Sequence, residues 1–125
     1  MTSAEPRGVT LRLIVADDDE RARALLRALF EEGGDARVVG EAADGVEAVA
    51  LTLAHAPDLV LLDVHMPRLD GLQAAERIRE AAPETAIVLH TGELTEELAA
   101  RADRLGLRLL AKSALGDGSA ALPAL

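Results

Sequence analysis

The feature that most constrains this chain is a run of four large apolar residues followed at once by a carboxylate. Leu59-Val60-Leu61-Leu62 leads directly into Asp63. A strand covered on both faces by helices has such an unbroken apolar run, whereas a strand with one wet face alternates apolar and polar residues. A carboxylate at the end of a buried run is costly unless it is paired or used. The segment therefore predicts a central strand of a parallel sheet, with Asp63 as a candidate functional residue.

Strand-like and helix-like segments alternate five times along the chain, separated by glycine, proline and aspartate turns. This alternation predicts an α/β fold in which a doubly wound, five-stranded parallel sheet carries helices on both faces. A fifth helix is expected to be weak or truncated, because Gly116, Gly118 and Pro123 interrupt the last segment. The predicted strands are 11–16, 36–41, 59–62, 86–89 and 107–111, and the predicted helices are 20–32, 46–55, 72–82 and one that begins after Thr95.

Length and composition predict one domain and exclude several kinds of function. The 125 residues suffice for a single core, with residues 1–9 expected to be a flexible leader and 10–125 the folded domain. The absence of cysteine excludes a disulfide framework, thiol catalysis and cysteine-ligated zinc. A net charge of −9 and a single aromatic residue argue against direct contact with nucleic acid. Neither a signal peptide nor a membrane span is apparent, so we expect a cytoplasmic protein.

Polar residues stand where the predicted strands end. Asp17 and Asp18 follow the first strand, Asp63 the third, Thr91 the fourth and Lys112 the fifth. Parallel strands bring their carboxyl ends to one edge of the sheet, where ligands of such folds bind. Three carboxylates there need an offsetting charge, and Mg²⁺ prefers such oxygen ligands. A carboxylate beside Mg²⁺ can attack a phosphoryl group, while a lysine and a threonine hydroxyl can hold its oxygens.

Each of these residues also has a simpler explanation when it is taken alone. The run Asp17-Asp18-Asp19 can serve only to cap the following helix. Thr91 alone is typical of a turn, and Lys112 alone is typical of a solvated surface. The functional interpretation therefore depends on the joint placement of these residues at strand ends, and on the buried context of Asp63.

Several motifs resemble the response-regulator receiver domain of two-component signal transduction, over roughly residues 10 to 113. The segment from Asp58 to Gly71, with the sequence DLVLLDVHMPRLDG, is similar to the region around the phosphoacceptor of that family. Ile14-Val15-Ala16-Asp17-Asp18 resembles the acidic pair after the first strand, and His90-Thr91-Gly92 and Lys112 resemble the remaining site positions. The segment VVGEAADG, residues 38–45, resembles receivers that precede a LuxR-type helix-turn-helix output domain.

The resemblance implies a role for each matching acidic residue. Asp63 would be the phosphoacceptor. Mg²⁺ would be held by Asp17 or Asp18 together with Asp63 and the backbone carbonyl of His65. Of the acidic pair, Asp18 is expected to ligate directly and Asp17 through water, while Asp19 is expected to cap the first helix.

The resemblance also implies a switch, and the chain departs from the family at that point. Thr91 would sense the phosphoryl group and Lys112 would pair with it. Receivers commonly carry a tyrosine or phenylalanine three residues before the lysine, but Leu109 occupies that position here. The inward swing of a ring therefore cannot operate in this chain. The side chains of His65, His55 and His90 are not expected to take part in the site.

The favoured function is a phosphorylatable regulatory domain rather than a metabolic enzyme. Its implied partners are a histidine kinase, a second copy of the chain on activation, and a DNA-binding output domain beyond Leu125 that controls transcription. One alternative is a degenerate, phosphorylation-independent receiver that acts as a protein-interaction module, which the missing aromatic residue favours. A second alternative is a phosphohydrolase of the haloacid-dehalogenase type, but such enzymes carry an aspartate where this chain has His65.

Overall fold

The computed structural model describes residues 10–116 of the chain. The predicted leader, residues 1–9, and the end of the predicted domain, residues 117–125, lie outside the described residues. The elements alternate as predicted: β1 (Leu11–Ala16), α1 (Glu20–Glu31), β2 (Ala36–Ala42), α2 (Gly45–His55), β3 (Leu59–Asp63), α3 (Gly71–Ala81), β4 (Ala86–Thr91), α4 (Glu96–Arg104), β5 (Arg108–Ala111) and α5 (Lys112–Gly116).

The five strands form one parallel sheet in the order β2-β1-β3-β4-β5. This is the flavodoxin-like order of doubly wound folds, and it confirms the predicted fold class. β3 lies at the centre, and all five of its residues are buried. The register places Ala16 beside Leu62, and Asp63 beside His90. The carboxyl ends of β1, β3 and β4 are therefore level with one another.

Two apolar cores cover the two faces of the sheet, because side chains alternate between the faces along each strand. On one face, Leu13, Val15, Leu61 and Val88 pack with Leu26 of α1 and Leu115 of α5. The other face packs against α2, α3 and α4, through Ala48, Ala75, Ile78, Leu98 and their neighbours. Every residue of the central strand thus contacts a helical layer on one side or the other, which explains its unbroken apolar sequence.

Polar caps fix where the long helices begin. The side chains of Asp19, Asp44, Asp70 and Thr95 accept hydrogen bonds from backbone N–H groups in the first turns of α1, α2, α3 and α4. Each cap satisfies an N–H group that has no partner within its helix. The caps of α1 and α4 confirm the predicted starts, whereas α2 and α3 begin one residue earlier than predicted, at Gly45 and Gly71.

The end of the described chain agrees with the prediction of a weak fifth helix. Five of the described residues, Lys112–Gly116, belong to α5, and its Leu115 is buried against the core that α1 also covers. Across residues 10–116, no helix has the length and apolar character needed to cross a membrane.

Candidate functional site

The alternation of side chains along the strands places four polar residues on one face at the carboxyl edge of the sheet. Every second residue of a strand lies on the same face of the sheet. Asp17 thus shares a face with Leu13 and Val15, and Asp63 with Leu59 and Leu61. His90 follows Val88 in the same way, and Lys112 follows Leu110. The apolar members of these series all belong to the core beneath α1 and α5. The polar residues that end the series lie at the rim of that core.

Lys112 links the two buried carboxylates of the edge. Its Nζ lies 2.8 Å from Asp17 Oδ2 and 3.3 Å from Asp63 Oδ2. Asp17 is fully buried and Asp63 is 4 % exposed, whereas the Lys112 side chain is 33 % exposed. One ammonium group therefore offsets two carboxylates that water scarcely reaches.

Burial and the imbalance of charge together shift the pKa values of this group. Burial raises the pKa of Asp63, the nearby charge of Asp17 raises it further, and Lys112 and the His65 N–H only partly oppose this shift. Burial tends to lower the pKa of Lys112, but its hydrogen bond to Asp17 and the charge of Asp63 outweigh burial and raise it. Lys112 therefore stays charged, and the pair of carboxylates favours additional positive charge.

The three aspartates that follow β1 have three different environments. The Oδ1 atom of Asp17 accepts a hydrogen bond from the Asp19 N–H at 2.9 Å, and Asp17 faces the interior. Asp18 is exposed. Asp19 caps α1 by accepting from the Arg21 N–H at 2.9 Å, as the sequence predicts. Of the run, only Asp17 makes the contact with Lys112 that joins β1 to the rest of the site.

The loop after β3 holds Asp63 from the side of α3. The His65 N–H donates to Asp63 Oδ1 at 3.3 Å, and the His65 side chain is exposed, as expected. Gly71 packs so closely that a Cβ atom there would lie 2.3 Å from the Asp63 carbonyl oxygen. Any larger residue at position 71 would therefore push the loop away from the carboxylate.

Thr91 and Leu109 belong to the opposite face of the sheet. Thr91 is fully buried, and its hydroxyl bonds within its own loop: Oγ1 accepts from the Glu93 N–H at 3.2 Å and lies 3.3 Å from the Glu93 carbonyl oxygen. Leu109 pairs with Leu89 in the sheet and packs, partly buried, against the core beneath α2, α3 and α4. Thr91 and Leu109 therefore lie on one side of the sheet, and the Asp17–Asp63–Lys112 cluster on the other.

From the sequence, the His90 side chain is expected to take no part in the site, but the structure places it beside the two buried carboxylates. It is fully buried, and one of its ring nitrogens lies within 4.8 Å of carboxylate oxygens of Asp17 and Asp63. Burial lowers its pKa to about 4, with Lys112 acting in the same direction and Asp17 and the Ala16 carbonyl opposing it. The available signal was its position two residues after Val88 in the strand that neighbours Asp63.

The carboxylate oxygens of the edge fit a hard divalent cation. Asp17 and Asp63 present buried carboxylate oxygens, and Asp18 adds an exposed carboxylate beside them in the sequence. Mg²⁺ prefers oxygen ligands and retains several waters, which suits a site at the surface edge of a sheet. Burial and then the charge of Asp17 raise the pKa of Asp63, and a bound cation would offset the repulsion between the two carboxylates.

One family model matches most of this chain. Residues 13–113 match the family model described as the response regulator receiver domain. Over 77 residues the chain is 44 % identical to a protein-glutamate methylesterase/protein-glutamine glutaminase of Hahella chejuensis, covering 62 % of this chain and 22 % of that protein. Over 87 residues it is 39 % identical to the transcriptional regulatory protein YhcZ of Bacillus subtilis, covering 70 % of this chain and 41 % of that protein. The chain thus spans less than half the length of these curated relatives.

Solved structures share the fold over most of the chain. The signal receiver domain of a NarL response regulator from Mycobacterium tuberculosis superposes with a TM-score of 0.80 at 30 % identity, covering 89 % of this chain and 94 % of that one. A LuxR-family two-component response regulator from Aurantimonas gives a TM-score of 0.77 at 31 % identity, covering 83 % and 75 %. The matched part is the receiver, which is a regulatory domain.

Proposed function

This chain belongs to the response regulator receiver family, and from that premise we propose that it is a switch that accepts a phosphoryl group on Asp63. The observation that carries the proposal is the buried pair Asp17 and Asp63, joined by Lys112 at the carboxyl edge of the sheet. Receiver domains bind Mg²⁺ at an acidic pocket, interact with histidine kinases and dimerise within response regulators. The corresponding role proposed for this chain is that of a cytoplasmic regulator that controls transcription through an output domain.

The chemistry assigns a separate task to each side chain. A carboxylate oxygen of Asp63 attacks the phosphorus of a phosphohistidine on the kinase. A P–O bond forms, the P–N bond breaks, and its electron pair returns to the imidazole of the kinase. Lys112, already 3.3 Å from Asp63, neutralises charge on the transferred group as a point charge. Water later hydrolyses the acyl phosphate and resets the switch.

The proposed Mg²⁺ ligands are Asp17, Asp18, Asp63 and the backbone carbonyl of His65. The bound cation supplies positive charge beside the phosphoryl oxygens. Asp18 is suited to direct ligation because its side chain is exposed, whereas Asp17 is engaged with Lys112 and acts through water. The His65 N–H keeps one oxygen of Asp63 in place.

Thr91 is the proposed sensor of the phosphoryl group. Its hydroxyl bonds only within its own loop, to the backbone of Glu93. Thr91 faces away from Asp63 but is the last residue of β4. Exchange of its two local bonds for a bond to a phosphoryl oxygen would therefore draw the hydroxyl and the β4–α4 loop around the end of the strand toward the site. A second copy of the chain and an output domain beyond Leu125 are the proposed partners that bind the surface altered by this movement.

Phosphorylation of the full chain by acetyl phosphate and Mg²⁺ tests the proposal. Intact mass measurement is expected to show one added phosphoryl group in the wild type and none in Asp63→Asn. Asp103→Asn is a matched control, because Asp103 is an exposed aspartate on α4. An unmodified wild type, or a modified Asp63→Asn protein, would contradict the proposal.

A second candidate function is a phosphorylation-independent interaction module. The observation that favours it is Leu109, which packs partly buried against the core. Receivers commonly have a mobile tyrosine or phenylalanine ring at this position. In that case the wild type would bind its partner equally well with and without acetyl phosphate. The buried acidic cluster favours the first proposal, because buried carboxylates are costly and phosphoryl transfer gives both of them a task.

A further inference from the structure

The His90 side chain is a buried polar group without a hydrogen-bonding partner. It is 0 % exposed, and neither ring nitrogen makes a well-formed hydrogen bond within residues 10–116; the Ala16 carbonyl lies near the ring but outside hydrogen-bonding geometry. Buried polar groups nearly always find such a partner, and one that does not calls for an explanation such as a bound ion. The proposed phosphotransfer chemistry gives the imidazole no task.

The surroundings of His90 suggest what would bind there. One of its ring nitrogens, one oxygen of Asp17 and one oxygen of Asp63 all lie within 4.8 Å of one another, and all three residues are buried. An imidazole with two carboxylates is a mixed nitrogen and oxygen donor set. Such sets suit zinc, cobalt and related ions, whereas Mg²⁺ favours oxygen ligands and waters.

We propose that Asp17, Asp63 and His90 form a binding site for a divalent transition-metal ion that accepts nitrogen, of which Zn²⁺ and Co²⁺ are the probes. Three protein ligands leave a fourth position of a tetrahedral ion open to water. Ligand atoms around Zn²⁺ are about 3.4 Å apart when each bond is ~2.1 Å, and the three donors lie within 4.8 Å of one another, so they need to approach by no more than ~1.4 Å on binding. The site shares Asp17 and Asp63 with the proposed Mg²⁺ site, but it adds His90 and requires no phosphoryl chemistry, so the inference goes beyond the proposed function.

Lys112 competes with the metal for the same carboxylates. Its Nζ lies 2.8 Å from Asp17 and 3.3 Å from Asp63, where it would repel a divalent ion. With a side chain that is 33 % exposed, Lys112 can swing into water when the metal binds. Removal of its charge should therefore tighten binding, while removal of His90 should weaken it.

Equilibrium dialysis of the full, unphosphorylated chain against Co²⁺, in parallel with Mg²⁺, tests the site. His90→Leu is expected to weaken Co²⁺ binding by on the order of a hundredfold, since even a group that only orients a ligand contributes about 10- to 100-fold. The same variant should leave Mg²⁺ affinity within about threefold of wild type, because oxygen ligands dominate there. His55→Leu is the matched control: His55 is an exposed histidine at the end of α2.

Three outcomes would overturn the proposal: no Co²⁺ binding by the wild type, equal Co²⁺ affinity in wild type and His90→Leu, or a parallel loss of Mg²⁺ affinity in His90→Leu. If His90→Leu does not fold, Lys112→Met decides the question, because it retains all three ligands. Tighter Co²⁺ binding than wild type, with Co²⁺ shifting the imidazole proton resonances of His90 but not those of His55, would support the site. Unshifted His90 resonances would refute it. No phosphodonor is present, so failure of the phosphorylation proposal does not affect the result.

Discussion

The polar groups at the two ends of the parallel sheet differ in how completely they are hydrogen-bonded and paired. At the amino end, Arg12 and Asp58 form a closed set of bonds: the Arg12 N–H donates to Asp58 Oδ2 at 2.9 Å, and the Asp58 N–H donates to the Arg12 carbonyl at 2.9 Å. The Arg12 guanidinium also binds the carbonyls of His55 and Ala56, and the buried Thr85 hydroxyl donates to the Pro57 carbonyl. The carboxyl end instead holds two buried carboxylates with one lysine and a histidine without a hydrogen bond.

This difference indicates that the polar groups of the amino end contribute to stability and those of the carboxyl end to function. Satisfied hydrogen bonds stabilise the amino end, where the N–H groups of Arg12 and Asp58 and the buried Thr85 hydroxyl each have an acceptor. Buried, incompletely paired charges cost free energy and persist where chemistry needs them. Substitutions at the amino end should therefore reduce stability without affecting phosphorylation, while substitutions at the carboxyl end should do the reverse.

The largest expected effect concerns the pH dependence caused by His90. Its pKa is lowered to about 4 in the folded state, while an unfolded histidine has a pKa of about 6.5. The unfolded chain takes up the proton first, so this stabilisation is complete above pH 6.5 and is lost as pH falls toward 4. The loss amounts to about 3 kcal/mol between pH 7 and pH 4. Urea unfolding followed by circular dichroism, with a chelator present, measures it.

The His90→Leu variant isolates that contribution. Asp63, whose pKa is raised, acts in the opposite direction and remains in both proteins, so the difference between them belongs to His90. The variant should lose about 3 kcal/mol less stability than wild type over the same pH range. Identical losses would mean that the imidazole is not held neutral in the fold.

A pair of aspartate substitutions should give effects of different size at the two ends. Asp58→Ala leaves the Arg12 N–H without its acceptor and should reduce the free energy of unfolding by about 2 kcal/mol at pH 7. Asp63→Asn keeps the shape but removes a charge that burial and Asp17 disfavour, so stability should stay equal or rise by up to about 1 kcal/mol.

Urea unfolding at neutral pH checks both variants of this pair. The acetyl phosphate experiment should then show the opposite pattern, with Asp58→Ala still phosphorylated and Asp63→Asn not. A large destabilisation by Asp63→Asn would mean that its pairing with Lys112 outweighs its burial, and that the two ends do not differ as described.

The smallest expected effect is that of Leu109→Ala on switching. Leu109 already packs against apolar neighbours, so its burial should change little between states and should contribute little to a two-state bias. The shift in self-association caused by beryllofluoride and Mg²⁺ should therefore be close to that of wild type. Thr91→Ala should weaken the shift, because it removes the hydroxyl that is proposed to contact the phosphoryl group. Loss of the shift in Leu109→Ala, with fold and Mg²⁺ affinity intact, would make Leu109 the switch residue.

The sequence by itself determined the elements of this protein. The apolar run that ends at Asp63, the caps at Asp19 and Thr95, and the weak segment after Lys112 are local patterns, and local patterns determine where strands and helices begin and end. Ligand sites at the carboxyl ends of parallel strands then follow from the fold class. The sequence therefore predicts Asp17, Asp63 and Lys112 at one edge of the sheet, and in the structure Lys112 contacts both carboxylates there.

Only the tertiary structure decided which side chains share the pocket. The sheet order places β4 next to β3, and the register places His90 opposite Asp63, on the face that Asp17 and Lys112 also occupy. Thr91, one residue later, consequently faces the other way. Strand order and register arise from pairing between segments far apart in the chain, which no local pattern around His90 records. The alternation along β4 indicates which face of the sheet His90 lies on, but only this pairing of strands brings it beside the two buried carboxylates.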